Sequence, residues 1–304
     1  MKKDLLGLKD ISAKEIENIL ETAGTMKLIL GQPNKKTPHL QGKTVVNLFY
    51  ENSTRTRLSF ELAAKYMSAN AANITASGSS VQKGETLIDT AETINAMGTD
   101  ILVMRHNMSG APHLIAPLVS ASVINAGDGG HNHPSQTLID MMTIRQLKGR
   151  LDHLTIGFCG DLKFGRTVHS LVNSLVRFPG NTFYFISPDE LRVPEYLVED
   201  TLKPSNTTYH EVTDLEATIP KLDVLYMTRV QKERFFNEED YVRLKDFYIL
   251  TAKKMKLAPP DMLVLHPLPR VNEISVDVDD DPRAVYFKQA QYAVYVRMAL
   301  ILTL

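Results

Sequence analysis

Residues 44–57 read TVVNLFYENSTRTR, an apolar, β-branched run followed closely by a polar one. The run Thr44 to Phe49 predicts a buried β-strand, and Ser53 is a favoured residue for the N-cap of a following helix. The start of a helix carries unpaired backbone N–H groups and the positive end of the helix dipole, which together favour an anion. Arg55 and Thr56 add a guanidinium and a hydroxyl that suit phosphate oxygens. The stretch therefore predicts either a phosphate site or a capped helix whose arginines only solvate its surface.

The alternation of short apolar runs and helical patterns continues along the whole chain. A capping-box pair, Ser12 with Glu15, predicts a first helix that ends near Gly31. Strand patterns then occur at 45–46, 101–104, 122–125, 154–159, 182–186, 223–227 and 262–265, and helical patterns at 54–67, 85–97, 111–119 and 134–147. Strands that alternate with helices in this way are typical of mostly parallel sheets.

The length of 304 residues and the restart of this alternation after the helix at 134–147 predict an α/β fold with two domains. Each domain is expected to be a mostly parallel sheet flanked by helices. Ligands of open α/β sheets bind beyond the carboxyl ends of the strands, so we expect the active site in a cleft between the domains. The expected divisions are residues 1–134, a connecting helix at 135–149, residues 150–285, and a last helix, about 286–304, that packs back on the first domain.

Composition and charge exclude several classes of protein. The formal net charge of -1 provides no general basic surface for nucleic acid. The single cysteine, Cys159, excludes a disulfide within the chain and lies in an apolar run typical of a buried thiol. The first residues lack the apolar core of a signal peptide, and the most apolar stretch, 293–304, is too short to span a bilayer and contains Arg297. We therefore expect a cytoplasmic protein without nucleic-acid or membrane partners.

Three histidines near the predicted strand ends, His106, His131 and His133, admit several interpretations. Imidazole is a common metal ligand, which makes a metal site conceivable. His133 and Gln136 lie three residues apart at the start of a helix and can share one face, which suits hydrogen bonding to a ligand. We favour hydrogen bonding by His133 over a metal site, and a purely structural histidine is the third interpretation.

Other polar segments also allow more than one interpretation. Residues 157–165 hold three glycines between a strand and a helix, but their spacing does not match the dinucleotide fingerprint. Arg166 and Arg229 each follow a predicted strand, and two guanidinium groups there predict a site for the carboxylates of an acidic substrate. A charged run such as the one at 229–234 is also typical of a solvated loop. Lys83, in a polar loop, is either a functional residue or a solvated surface lysine.

Seven segments, in this order, resemble motifs of the aspartate and ornithine carbamoyltransferase family, and the resemblance runs nearly end to end. The ornithine branch carries a cysteine before its Leu-Pro pair, whereas Pro267 stands there in this chain, so the resemblance favours the aspartate branch. The segments are Ser53-Thr54-Arg55-Thr56-Arg57, Lys83-Gly84-Glu85-Thr86, Met104-Arg105-His106, His133-Pro134-Ser135-Gln136, GDLKFGRT at 160–167, RVQKER at 229–234 and His266-Pro267-Leu268-Pro269-Arg270.

The resemblance implies an enzyme that transfers the carbamoyl group of carbamoyl phosphate to the α-amine of L-aspartate. The products are N-carbamoyl-L-aspartate and phosphate, an early step of de novo pyrimidine biosynthesis. No cofactor and no metal are implied. The implied assembly is a homotrimer with shared active sites, which can join zinc-bearing regulatory chains in a larger allosteric complex. The alternatives are an ornithine-type carbamoyltransferase and a non-catalytic phosphate-binding subunit.

The same resemblance assigns residues to the two substrates. Thr56, Arg105 and His133 would polarise the carbamoyl carbonyl, and Arg55 and Lys83 would stabilise the departing phosphate. The groups that bind carbamoyl phosphate would be Ser53, Thr54, Arg55, Thr56, Arg105, His133, Gln136, the Leu268 and Pro269 carbonyls, and Ser79 of a neighbouring subunit. The groups that bind aspartate would be Arg166, Arg229, Gln231, and Lys83 of a neighbouring subunit.

Overall fold

The computed structural model describes residues 3–9, 11–76, 83–230, 237–244 and 246–304. The chain divides into two compact units: unit 1 comprises Met1–Met142 and Ala290–Leu304, and unit 2 comprises Thr143–Gln289. Within the described ranges, no helix is both long enough and apolar enough to cross a membrane.

Helices and strands alternate along most of the chain. The first half contains α1 (Ala13–Leu30), β1 (Thr44–Phe49), α2 (Thr54–Tyr66), β2 (Asn70–Thr75), α3 (Leu87–Ala96), β3 (Ile101–His106), α4 (Ala111–Ile115), β4 (Ser122–Asp128) and α5 (Pro134–Lys148). The second half contains β5 (Thr155–Cys159), α6 (Arg166–Leu175), β6 (Thr182–Ile186), α7 (Glu195–Leu197), β7 (Thr208–Val212), α8 (Leu215–Thr218), β8 (Val224–Met227), α9 (Glu238–Leu244), α10 (Ala252–Met255), β9 (Leu263–Leu265) and α11 (Tyr286–Thr303).

Each unit is built on one parallel sheet. Among the described residues, the sheet of unit 1 has four strands in the order β2-β1-β3-β4, and the sheet of unit 2 has five in the order β7-β6-β5-β8-β9. All pairings between these named strands are parallel. The predicted α/β fold with two parallel sheets flanked by helices is therefore confirmed.

Two strands, β2 and β7, have no counterpart in the sequence prediction. Both lie at the edge of their sheet, and neither contains a fully buried residue. Both strands carry polar side chains at exposed positions, so they lack the apolar run that marks a buried strand. The internal strand β3, by contrast, is buried along its whole length, and its run was visible in the sequence.

Local capping sets the ends of the helices. The predicted capping box of α1 is confirmed: the Ser12 hydroxyl accepts the Glu15 N–H at 3.2 Å, and the Glu15 carboxylate accepts the Ser12 N–H at 2.8 Å. Helix α3 begins two residues later than predicted, because the Thr86 hydroxyl accepts the Asp89 N–H and so forms its N-cap. Helix α4 is shorter than predicted, because Pro117 has no backbone N–H to continue its hydrogen-bond pattern.

The two sheets bury separate cores. The core of unit 2 includes the thiol of Cys159, which is fully buried as predicted, and burial raises the pKa of this thiol. In unit 1 the end of α11 packs against α2. There the Arg297 guanidinium lies over the Phe60 ring, with Cζ 4.9 Å from the ring centroid. The C-terminal residues are therefore part of the interior of unit 1.

Candidate active site

Polar residues of unit 1 follow the carboxyl ends of three neighbouring strands. β1 pairs in parallel with β3, with Phe49 opposite Arg105, and β3 pairs in parallel with β4. Because the three strands run in the same direction, the segments that follow them meet at one edge of the sheet. This arrangement places the start of α2, Arg105 and His133 at the same edge.

Arg105 lies at the centre of this edge and is only 7 % exposed. Its Nη1 donates to the Ala126 carbonyl at 3.1 Å and to His133 Nε2 at 3.2 Å, and its Nη2 forms an ion pair with the Glu51 carboxylate. Carboxylate and phosphate oxygens are alternative partners for one guanidinium fork. The Glu51 carboxylate therefore shows how Arg105 can hold an anionic group at this edge.

The first turn of α2 carries little of its own capping. Ser53 occupies the N-cap in an extended backbone conformation, but its side chain makes no capping hydrogen bond, and the first turn contains no acidic residue. Thr56 is buried, whereas Thr54 and Arg55 are exposed. The Ser53 hydroxyl and the first N–H groups of the helix can therefore hydrogen-bond to an anion that binds there.

The hydrogen bonds of His133 define its protonation. A guanidinium only donates hydrogen bonds, so His133 Nε2 accepts from Arg105 and carries no proton. His133 Nδ1 lies 3.4 Å from the Ser135 hydroxyl, which leaves a neutral imidazole with its proton on Nδ1. To donate a hydrogen bond to a substrate oxygen through Nε2, the ring has to change tautomer or become protonated.

Gln136 stands one turn further along α5 and is oriented by its own helix. Its amide nitrogen donates to the Asp140 carboxylate at 2.7 Å. The amide oxygen of Gln136 is consequently the group that suits an N–H donor on a ligand. This orientation matches a role in binding the amino group of a carbamoyl moiety.

A hydrogen-bonded turn follows β4. The Asp128 carboxylate is fully buried and accepts bonds from the Gly110 and Asn132 N–H groups at 2.9 Å each, and it lies 2.9 Å from His131 Nδ1. A side chain at Gly129 would meet the Asn107 carbonyl at 2.7 Å, so this turn requires glycine. His131 therefore has a carboxylate as its partner, and His133 has Arg105. Among the described residues, no cluster of three or more potential metal ligands occurs.

In unit 2, Arg166 and Arg229 follow two strands that are neighbours in the sheet. Arg166 begins α6 beyond the end of β5, Arg229 stands two residues beyond β8, and β5 pairs in parallel with β8. Both arginines are half-buried. The pairing places the two arginines at one edge of the sheet, and two arginines there suit a ligand with two carboxylates.

Close backbone contacts hold the segment between β5 and α6. The Asp161 N–H donates to the Thr228 hydroxyl at 2.9 Å, and the Phe164 N–H donates to the Asp161 carboxylate at 2.9 Å. A side chain at Gly160 would lie 2.3 Å from the Thr228 carbonyl, and one at Gly165 would lie 2.4 Å from the Asp161 carbonyl. The glycines therefore allow two backbone segments to approach each other, which explains their spacing without a nucleotide.

A buried pair, His266 and Glu273, holds the segment after β9. His266 Nδ1 accepts the Leu268 N–H at 2.8 Å, so the proton lies on Nε2, which donates to Glu273 at 2.7 Å. Burial lowers the pKa of His266. Burial is the largest single influence and would raise the pKa of Glu273, but the interactions with His266 and the backbone N–H groups together outweigh it, and the pKa is lowered. A neutral imidazole thus donates to a carboxylate and fixes the turn that contains Pro269.

The structure places the remaining predicted residues as follows. Ser79 and Gln231 lie outside the described residues. Lys83 is described and exposed, and Leu268 is half-buried with a positive φ of 52°. Sequence reasoning did not identify Glu51 as a site residue, although an acidic residue between a strand and a predicted anion site was a usable signal.

These features define an α/β protein with a potential anion site at the sheet edge of each unit. Comparison with family models gives two matches that together span most of the chain. Residues 3–146 match the carbamoyl-P binding domain of aspartate/ornithine carbamoyltransferase, and residues 152–304 match the Asp/Orn binding domain. The chain therefore belongs to the aspartate/ornithine carbamoyltransferase family.

Individual relatives agree with this assignment. The chain is 56% identical over 303 residues to the aspartate carbamoyltransferase catalytic subunit of Lachnoclostridium phytofermentans, covering 99% of this chain and 97% of that protein. The catalytic subunit of M. jannaschii aspartate transcarbamoylase has a TM-score of 0.92 and 44% identity, with 99% and 97% coverage. Aspartate transcarbamoylase of Trypanosoma cruzi, in complex with N-(phosphonacetyl)-L-aspartic acid, has a TM-score of 0.92 and 36% identity, with 99% and 95% coverage.

Proposed function

We propose that this chain is an aspartate carbamoyltransferase that converts carbamoyl phosphate and L-aspartate into N-carbamoyl-L-aspartate and phosphate. Residues 1–134 would bind carbamoyl phosphate and residues 150–285 would bind aspartate. The reaction is an early step of de novo pyrimidine biosynthesis. The observation that carries the proposal is the position of Arg105, which is buried between Glu51, Ala126 and His133 beside the start of α2.

The phosphate would bind at the start of α2. The Ser53 side chain makes no capping bond that would compete with it, and Arg55 and Arg105 would add charge-assisted hydrogen bonds. When phosphate binds, its oxygens would replace the Glu51 carboxylate on Arg105. The Gln136 amide oxygen, oriented by Asp140, would accept from the carbamoyl amino group, assisted by the carbonyls of Leu268 and Pro269.

Chemistry would proceed by attack of the aspartate α-amine on the carbamoyl carbon. A C–N bond forms, the C–O bond to phosphate breaks, and the bonding electrons leave with the phosphate. Thr56, Arg105 and His133 would donate to the carbonyl oxygen as negative charge develops, an effect worth about 3 kcal/mol per donor. The amine must lose a proton, and the departing phosphate is a base that can accept it.

Aspartate would bind through its two carboxylates. Arg166 and Arg229 follow adjacent strands of the unit 2 sheet, and Gln231 would assist them. Two guanidinium forks favour a dicarboxylate over ornithine, whose side chain is cationic. The solved structures of the Trypanosoma cruzi relative include one in complex with carbamoyl phosphate and aspartate, which supports the same pair of substrates here.

The test is a product assay with each substrate alone and with both. Carbamoyl aspartate should form only when carbamoyl phosphate and aspartate are both present, and ornithine in place of aspartate should give no product. Product from ornithine instead would assign the chain to the ornithine-type transferases. Phosphate binding without any turnover would identify a non-catalytic phosphate-binding subunit.

We also propose that the active unit is a homotrimer with shared active sites. Lys83 is exposed at the end of a polar segment, and with Ser79 it would act in the site of a neighbouring subunit. Chains that carry Arg55→Ala and chains that carry Lys83→Ala should each be inactive, but mixed trimers should regain activity because some sites receive both residues. Verified mixed trimers without any activity would contradict the shared site.

We also propose where the enzyme acts and which chains it assembles with. The chain would act in the cytoplasm and could join zinc-bearing regulatory chains in a larger allosteric assembly. Sedimentation of the purified chain, alone and with a regulatory chain, tests this assembly. A trimer that does not change its sedimentation when the regulatory chain is added would contradict it.

A further inference from the structure

Arg297, on α11, is a buried cation that the proposed chemistry does not use. Its side chain is 2 % exposed. Its Nη1 donates to the Ser59 hydroxyl, its guanidinium lies over the Phe60 ring, and its Nε has no hydrogen-bond partner among the described residues. Within the described part of the chain, no carboxylate forms an ion pair with it. A buried charge without a counter-ion typically costs several kcal/mol, so its presence calls for an explanation.

The contacts of Arg297 lead directly to the first turn of α2. The Ser59 hydroxyl that accepts from Arg297 donates in turn to the Arg55 carbonyl at 2.5 Å and lies 3.1 Å from the Thr56 carbonyl. Hydrogen bonds in such a chain strengthen one another. Arg297 thereby holds the backbone of the two residues that are proposed to contact the phosphate.

The charge of Arg297 also acts on the same place. Burial, and then the positive charges of Arg105 and Arg55, lower the pKa of Arg297 to about 9. The group therefore stays protonated at neutral pH, and three guanidinium groups act on one another around the start of α2. The Glu51 carboxylate offsets part of this repulsion at Arg105, and a phosphate dianion bound at this site would offset more of it than a monoanion would.

We propose that Arg297 is a positioning residue of the phosphate site, which holds the first turn of α2 through Ser59 and adds a third positive charge beneath the bound phosphate. This inference rests on the proposed function, because it takes the start of α2 to be the phosphate site. It goes beyond that function by assigning a role to a residue that is remote in sequence and does not touch the substrate.

The test compares phosphate affinity with stability. Arg297→Met removes the charge but keeps an apolar side chain of similar length over Phe60. Inorganic phosphate, titrated by calorimetry, should bind about tenfold more weakly, whereas the unfolding temperature should stay equal or rise, because a buried charge has been removed. The KM for carbamoyl phosphate should rise, and the KM for aspartate should not change. A purely structural role predicts the opposite: lower stability and unchanged phosphate affinity.

Two further variants keep the test decisive. Ser59→Ala removes the hydroxyl that links Arg297 to the backbone of the first turn of α2 but keeps the charge of Arg297. It should weaken phosphate binding about threefold. Lys27→Met is the charge control: it also removes one positive charge that lies beside α11, over the ring of Tyr292, and should leave phosphate affinity unchanged. If Arg297→Met does not fold, Ser59→Ala decides by itself. Unchanged phosphate affinity in a folded Arg297→Met protein overturns the inference. If that variant does not fold, unchanged phosphate affinity in Ser59→Ala overturns it.

The wild-type protein separates this inference from the proposed function. Wild-type protein that binds phosphate and forms carbamoyl aspartate, while the variants bind phosphate normally, refutes only the role of Arg297. Wild-type protein that binds no phosphate refutes the proposed site at the start of α2 and this inference with it.

Discussion

Helices α1 and α2 both begin with a serine at the N-cap, but only one of these serines caps its helix. In α1, Ser12 and Glu15 exchange hydrogen bonds in a complete capping box. In α2, Ser53 makes no capping bond and the first turn has no acidic residue. The first turn of α1 is thus capped by side chains of its own segment, whereas the first turn of α2 lacks such a cap and can bind an anion.

The difference shows how a helix start can serve stability or binding. A capped first turn stabilises the fold by about 1 kcal/mol, and α2 does without this contribution. It is held instead by its buried side, which includes Phe60, Ala63 and Ala64, while the bond from Arg297 to Ser59 positions its first turn. A binding site that is less stable than the surrounding fold is a common compromise between stability and activity.

Arg55→Ala should have the largest effect on function. The side chain is exposed, so the free energy of unfolding should change by less than about 0.5 kcal/mol. Removal of a charged donor to the phosphate should lower kcat about 100-fold or more. Steady-state formation of carbamoyl aspartate measures this, with Arg57→Ala as the matched arginine control. If Arg55→Ala had the turnover of the wild type, the start of α2 would have no more role in catalysis than the start of α1.

Thr54→Asp would give α2 the first-turn acid that α1 already has. A carboxylate at this exposed position should stabilise the helix by about 0.5 kcal/mol through the dipole. It should also weaken binding of inorganic phosphate about 30-fold, because it repels an anion at the same place. Thr54→Asn keeps the size without the charge and should change both quantities much less. Stronger phosphate binding by Thr54→Asp would place the anion elsewhere.

Ser53→Ala should weaken phosphate binding by a smaller factor, about fivefold, because one neutral hydroxyl donor is lost. Stability should hardly change, since the side chain makes no capping bond. Calorimetric titration with phosphate and chemical denaturation measure the two effects. A destabilisation of about 1 kcal/mol with normal phosphate affinity would show that Ser53 is an ordinary cap.

Ser12→Ala should give the reverse result and the smallest effect on function. Loss of the capping box should lower the free energy of unfolding by about 1 kcal/mol, and turnover should equal that of the wild type. Lys14→Ala, at an exposed position of the same helix, serves as the control and should change neither quantity. A fall in turnover without a fall in stability would contradict the assignment of α1 as purely structural.

Much of the fold could be predicted from the sequence because its signals are local. The internal strands, such as β3, carry continuous apolar runs, and α1 carries its cap and its terminating Gly31 within one segment. The edge strands β2 and β7 could not be predicted, because their residues are polar and only pairing with a neighbouring strand gives them their conformation.

The candidate site divides in the same way. Ser53, Arg105 and Arg166 stand just beyond or at the end of recognisable strands, so their placement at the sheet edges follows from strand direction alone. Glu51 and Arg297 were missed for different reasons. The ion pair between Glu51 and Arg105 joins two strand ends, and the burial of Arg297 depends on where α11 packs.

The sequence by itself therefore determined the order of elements, the two parallel sheets and the polar segments at the strand ends, because propensity, capping and hydrophobic pattern act over a few residues. Only the tertiary structure decided which hydrogen bonds form beyond the local caps: the Ser53 side chain makes no capping bond, and Arg297 donates to Ser59 across 238 residues. Such a choice depends on burial and on partners distant in sequence, and these exist only once the chain has packed.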